Sequence, residues 1–163
     1  MRFKYCPDCG SKAAEREIGD EGLMPYCEKC GKPLFDVFSA CVLCVVVNEQ
    51  DEIALIKQSY VNCGTYVGIA GYIKPGESAE EAAARETAEE IGIEPVSVEL
   101  IKTYPYPKKD MLMLGFRVNV IKKEMKLSGE VDAAKWFKAD EAEAAVREGS
   151  IIGELIRDVL EEM

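Results

Sequence analysis

An α/β fold, a sheet sandwiched by helices behind a short cysteine-rich module, is what this sequence predicts, and three observations carry it. The composition changes near residue 36: before it the chain is rich in Cys and Gly and shows no long apolar period. After it, short β-branched or alternating runs interleave with helical patterns, as expected of a layered α/β unit. The length of 163 residues suits one medium domain plus a small one. The boundary falls between residues 1–36 and residues 37–163.

The elements of the larger part can be read in order. Residues 42–47 form a continuous β-branched run that predicts a buried strand. Residues 52–57 read as its neighbour across the turn 48–51, and residues 66–73 as a third strand. Residues 79–91 read as a helix, with Ser78 and Glu81 in the capping-box arrangement and Gly92 as a stop. Its narrow packing face is expected at Ala84, Thr87, Ala88 and Ile91. Strands follow at 96–104, 111–121 and 131–137. A helix capped by Asp140 runs to about 148, and a last helix covers 152–161.

Bulk properties exclude several functions. With 20 Lys and Arg against 30 Asp and Glu, the formal charge is −10. Non-specific attraction to nucleic acid or anionic membrane is therefore disfavoured. The chain has no histidine, which removes Ser-His-Asp triads, Cys-His pairs and imidazole ligands. Acid–base chemistry falls to carboxylates, Lys, Tyr or Cys. No apolar run reaches the roughly 18 residues of a membrane span, and the first residues lack a secretory pattern. A cytoplasmic location is the expectation.

Seven cysteines is an odd number, so metal binding is favoured over a disulfide framework. Cys6-Pro-Asp-Cys9-Gly10 and Cys27-Glu-Lys-Cys30-Gly31 give C-x₂-C-x₁₇-C-x₂-C, within the spacing range of a four-thiolate zinc site. Two intervening residues let both sulfurs of a tight turn face one ion, and the following glycine can take the positive φ that closes the turn. A segment of about 35 residues cannot bury a sufficient core without such a staple. A structural Zn²⁺ held by Cys6, Cys9, Cys27 and Cys30 is expected. Cys41 and Cys44 form a second C-x-x-C, but a three-residue offset in a strand points the two side chains to opposite faces, which favours core packing. Cys63 is read as an incidental exposed thiol, with no activating base in view.

The most informative stretch follows the third strand. Glu80 and Glu81 lie in the first helical turn, where the helix dipole favours them. Glu86, Glu89 and Glu90 crowd one face of the last turns, where it does not. No Lys or Arg stands four residues on to balance them. A solvated acidic face would tolerate this, since each like-charge pair costs only about 0.2–0.5 kcal/mol. A hard divalent cation such as Mg²⁺ or Mn²⁺ would give the three carboxylates a reason to converge.

From Gly71 to Ile93 the chain resembles the box of the Nudix hydrolases, G-x₅-E-x₇-R-E-U-x-E-E-x-G-U, where U is a bulky aliphatic residue. Gly71, Glu77, Arg85, Glu86, Glu89, Glu90, Gly92 and Ile93 match, and Thr87 stands at the first U. The resemblance covers the chain from about Val42 onward. It implies an α/β/α sandwich with a mixed sheet, and that Glu86 and Glu90 ligate Mg²⁺ with Glu89 as a further ligand or base. It also implies that Glu77 and Arg85 brace the loop against the helix. Residues 130–137, Glu-Val-Asp-Ala-Ala-Lys-Trp-Phe, resemble the family's E-(V/I)-x-x-A-x-W-F element. That likeness brings Glu130 to the site as ligand or base. A solvent-facing loop glutamate is the plainer alternative.

Ribbon plus box resembles the layout of the NAD(H) pyrophosphatase and RNA NAD-decapping branch. Residues 103–116 align without a gap to that branch's S-Q-P-W-P-F-P-x-S segment and the strand after it. Pro105 and Pro107 match, Thr103 replaces Ser and Tyr106 replaces Trp, while Tyr104, Lys108, Lys109 and Met111 depart from it. Tyr72 and Tyr106 are the aromatic candidates for holding a base, with Gly71 beside them. Ordinary sheet packing is the alternative for Tyr72, and a stiff loop with a packed tyrosine for residues 105–107. The resemblance implies cleavage of NAD(H) to NMN(H) and AMP, or of ADP-ribose. Two alternatives stay open: a house-cleaning enzyme acting on nucleoside triphosphates, and a non-catalytic nucleotide- or RNA-binding module. Lys108 and Lys109 favour extra anionic charge on the ligand. An NAD-capped RNA end is a further candidate that the net charge does not support. A homodimer is expected from the branch.

Overall fold

A computed structural model of the chain describes residues 3–59 and 64–163. It divides into two compact units, Met1–Phe38 and Ser39–Met163. The reading of Cys63 lies outside the described residues.

The first unit is a small antiparallel sheet of β1 (Ala14–Glu17), β2 (Leu23–Cys27) and β3 (Lys32–Pro33), in that order. Its interior is Cys6, Cys27 and Leu34, with Phe3, Cys9 and Ala13 packed against them. Such a core is too small to sustain a fold alone.

The second unit is a three-layer sandwich. Its sheet contains β4 (Ser39–Asn48), β5 (Glu52–Lys57), β6 (Ile69–Tyr72), β7 (Pro95–Tyr106), β8 (Met111–Val120) and β9 (Ala133–Lys138). The order is β7-β8-β4-β5-β9, with β6 also paired to β4. β4 and β8 run parallel and the other pairs antiparallel, so the sheet is mixed. β4 pairs with β5 only near Val46 and Val47, and its Cys41–Cys44 stretch pairs with β6 instead. The segment leading into β6 stays joined to β5 through the backbone pair Ile56–Val67. β6 is thus inserted between the two strands, and this brings the end of β5 and the end of β6 beside the same helix.

Helices cover both faces. Val42, Cys44, Val46, Ile56, Ile69 and Phe116 pack under α1 (Ala79–Ile91). Leu43, Val45, Val47, Leu55 and Tyr104 pack under α2 (Ala139–Ala145) and α3 (Ile151–Glu161). Cys41 and Cys44 are both buried. Burial pushes both thiols up, so neither is primed as a nucleophile.

Three details differ from the sequence reading. The buried face of α1 includes Thr87 and Ile91 as expected, but Ala82, Ala83 and Glu90 are buried in place of Ala84 and Ala88. Asp140 lies inside the first turn of α2, whose N-cap is Lys138 without a side-chain bond, and the helix ends at Ala145. β7 runs on through Pro105 to Tyr106. Proline is accommodated there because β7 lies at the sheet edge.

Candidate functional sites

In the first unit two turns of the same form face each other. The Gly10 amide donates to the Cys6 carbonyl at 2.9 Å, and the Gly31 amide to the Cys27 carbonyl at 2.8 Å. Both glycines have φ of 69°, which an L side chain would resist. The sulfurs of Cys6, Cys9, Cys27 and Cys30 all lie within 4.8 Å of one another. The Cys30 amide donates to the Cys27 sulfur at 3.3 Å. Bonds from Ser11 hold the Cys9 thiol down at about 6, whereas contact with Cys9 and Cys27 pushes Cys30 up to about 12. Four thiolates this close repel one another unless a cation sits among them. Soft sulfur donors in a closed set of four suit Zn²⁺.

The second site is built on α1. Ser78 and Glu81 close the capping box, and Gly92 ends the helix with φ of 70°. Gly92 also has no room for a side chain, since an added Cβ would stand 2.7 Å from Cβ of Lys126. This close approach lets the next loop bind the helix end. The Lys126 amide donates to the Ile91 carbonyl and the Ser128 amide to the Glu90 carbonyl, satisfying acceptors that a helix C-terminus leaves open. The loop's far end is tied to β5, as the Asp132 amide donates to the Lys57 carbonyl at 2.8 Å. Glu130 is thereby held close enough for its charge to act on Glu90. With Ser59, Gly129 and Asp132 it lines an open depression of about 360 Å³.

Arg85 organises the carboxylates. Its Nε and Nη2 form a two-point fork with Glu77 at 2.6 and 3.0 Å. Its Nη1 donates to Glu86 at 2.6 Å and Glu89 at 2.9 Å, and Nη2 also reaches the Tyr72 carbonyl at 3.2 Å. All five guanidinium N–H groups are used. The counter-charge for Glu86 and Glu89 therefore comes from the residue before them, although none follows four residues on. Lys74 adds a looser contact to Glu89 at 3.9 Å. Arg85, with the Lys74 amide, holds the Glu77 carboxyl down at about 2. Glu77 accordingly pins the turn 74–77 to the helix.

Gly71 lies beneath Glu86. A Cβ built there would stand 1.9 Å from the Glu86 carboxylate, so only glycine lets this side chain lie against β6. Glu90 is different again. It is 6% exposed, and its Oε1 accepts from Gln58 Nε2 at 2.9 Å. Its Oε2 is buried without a partner among the described residues. Burial, with the charges of Glu86, Glu130 and Glu89 adding to it, raises this carboxyl to about 7 against the bond from Gln58. An orphaned buried carboxylate oxygen within an oxygen-donor set fits a hard divalent cation. Among the described residues the carboxylates do not gather as closely as the four sulfurs do.

The sequence reading did not single out Gln58. Its partner is 32 positions away, and no local spacing announces that pair. Tyr72 is 59% exposed at the end of β6, and Tyr106 is half-buried at the end of β7. The strand register puts both on the sheet face that α3 covers, opposite α1. Three strand spacings of about 4.8 Å separate them. Tyr104, two residues before Tyr106 on β7, is buried and donates to Asp158 of α3 at 2.6 Å.

Comparison with known proteins agrees with the fold. The NUDIX domain family model matches residues 37–159. The chain is 32% identical over 156 residues to the NAD-capped RNA hydrolase NudC of Stutzerimonas stutzeri, covering 95% of this chain and 55% of that protein. It is 29% identical over 159 residues to the protein of that name from Vibrio vulnificus, covering 97% and 59%. The chain thus spans little more than half the length of these relatives. Among solved structures, a Nudix hydrolase from Nitrosomonas europaea aligns with TM-score 0.79 and 22% identity over 98% of this chain and 92% of that one. The Nudix domain of Shewanella oneidensis NrtR, complexed with ADP ribose, aligns with TM-score 0.68 and 18% identity, covering 84% and 93%. At these identities the two structures speak for the fold.

Proposed function

The chain belongs to the Nudix family, and on that premise we propose that it is a pyrophosphohydrolase that cleaves the diphosphate of NAD(H), giving NMN(H) and AMP, or of ADP-ribose. The observation that carries the reading is Glu90: a buried carboxylate with one oxygen unpartnered among the described residues, at the end of a helix whose other two box glutamates each accept a bond from Arg85. Glu86, Glu89 and Glu90, with Glu130, would hold Mg²⁺ or Mn²⁺. When bound, such an ion supplies charge neutralisation to the diphosphate and acidity to a water.

The chain's own residues do the rest. Arg85 keeps Glu86 and Glu89 apart from free rotation, so ligand atoms are placed before substrate arrives. Glu130, or Glu89, accepts the proton of the attacking water. Tyr72 and Tyr106 lie on the sheet face opposite the α1 carboxylates, so as base-holding groups they would have to meet the substrate around the strand ends, where a stacked base contributes about 1–3 kcal/mol. The relatives named for hydrolysis of NAD-capped RNA support the NAD-linked choice. Four thiolates in the first unit would hold a structural Zn²⁺. Among the described residues no helix is long and apolar enough to cross a membrane.

A second reading has one specific observation in its favour. Lys108 and Lys109 are exposed in the turn directly after Tyr106, where they suit a triphosphate or an RNA end. The test is kcat/KM for NADH, ADP-ribose and a set of nucleoside triphosphates at one Mg²⁺ concentration, with products identified. NMN(H) plus AMP is the expected outcome. A triphosphate preferred by more than about tenfold, some 1.4 kcal/mol, with inorganic diphosphate released, would overturn it.

A further inference from the structure

Among the described residues, one side chain from outside its helix bonds Glu90. Gln58 follows β5 directly and is 7% exposed. The residues on either side of it are fixed by Asp132: its amide donates to the Lys57 carbonyl, and its carboxylate accepts from the Ser59 amide. The Gln58 side chain then reaches 32 positions along the chain to donate to Oε1 of Glu90, leaving Oε2 buried and unpartnered.

The chemistry of the two supports on α1 differs in kind. Arg85 donates to Glu86 and Glu89 as a cation and offsets part of their charge, its own being shared with Glu77 as well. An amide is neutral. It fixes the orientation of Glu90 by a hydrogen bond and leaves the carboxylate's charge intact. A Lys or Arg at position 58 would form a stronger pair and remove that charge, and an apolar side chain would leave the carboxylate free to turn. A buried amide is also an expensive choice for packing alone, since each polar group brought out of water costs about 1–3 kcal/mol unless bonded.

We propose that Gln58 is a positioning residue for the cation site: it pins one oxygen of Glu90 so that the other faces the ion. The proposal rests on the reading of Glu90 as a cation ligand. Outer residues that orient a ligand typically change metal affinity or activity by about 10–100-fold.

The test is Mn²⁺ binding to the full chain without substrate, followed by the electron paramagnetic resonance of free Mn²⁺, with a thermal melt of each variant. Gln58→Met keeps the volume and removes the donor. Gln58→Asn keeps the amide one methylene short of Glu90. Both are expected to weaken Mn²⁺ binding by about tenfold or more while melting within a few degrees of the parent, a combination that a purely structural role does not produce. Wild-type affinity in either folded variant, with Glu90→Gln still losing Mn²⁺, overturns the positioning role alone. Wild-type affinity in Glu90→Gln overturns the ligand reading beneath it.

Discussion

The cysteine cluster and the acidic helix solve one problem, the gathering of like charges, in two ways. In the first unit four sulfurs come within 4.8 Å of one another because two turns of identical form present them. The spacing C-x₂-C-G contains almost the whole geometry. On α1 the helix cannot do the same. Residues at i, i+3 and i+4 share a face, yet their carboxylates do not gather as the sulfurs do, and each is placed by its own partners: Glu86 and Glu89 by Arg85, which Glu77 anchors, Glu86 also against Gly71, and Glu90 by Gln58. The sulfur cluster is local in origin, whereas the placement of the carboxylates is tertiary and depends on their neighbours.

The largest effect should come from breaking the local cluster. Cys27→Ser is expected to abolish binding of about one zinc per chain and to unfold the first unit, since structural zinc contributes about 10–16 kcal/mol in small modules. Elemental analysis and cysteine accessibility check this. A parent protein without zinc and with four reactive thiols at Cys6, Cys9, Cys27 and Cys30 would contradict the assignment.

Next in size is Gly71→Ala. The new methyl must displace Glu86 from Arg85, so activity should fall by an order of magnitude or more. Overpacking of this kind costs about 1–3 kcal/mol, which a melt will register. Normal activity with an unchanged melt would mean that the glycine does not shape the site.

A smaller, pH-dependent effect isolates the brace. The folded Glu77 carboxyl titrates at about 2, below its ordinary value of 4.5. Its contribution to stability is therefore complete above about pH 4.5 and is lost as pH falls from there through about 2. Urea midpoints measured from pH 7 to pH 3 should fall more steeply for the parent than for Glu77→Gln. Parallel curves would remove Glu77 from the account.

What the sequence made legible follows the same division. The cysteine spacing, the Ser78–Glu81 capping box, the Gly92 stop and the buried run of β4 are short-range features, and each reappears in the structure. The face of α1 was legible only in part: Thr87 and Ile91 are buried as expected, Ala84 and Ala88 only partly so. Ala82, Ala83, Ala84 and Ala88 are the same residue, so periodicity cannot choose among them. The sheet chose Ala82 and Ala83 and turned Glu90 inward. Arg85 was visible as part of a motif, but its simultaneous hold on three glutamates and a backbone carbonyl depends on the turn at 72–77. Gln58 was invisible because its meaning comes from β6 being inserted beside β5. Pro105 pointed to a loop, and only the edge position of β7 explains why the strand continues through it.

The role of Glu90 is tested by comparing two glutamates of one helix, using kcat for NADH at saturating Mg²⁺. Glu90 is buried with an unpartnered oxygen, and Glu80 is exposed in the first turn. Glu90→Gln is expected to lower kcat by at least about 100-fold, some 2.7 kcal/mol of transition-state stabilisation, while Glu80→Gln stays within about twofold of the parent. If both variants keep the parent's kcat, the acidic helix is only a solvated face and the site lies elsewhere.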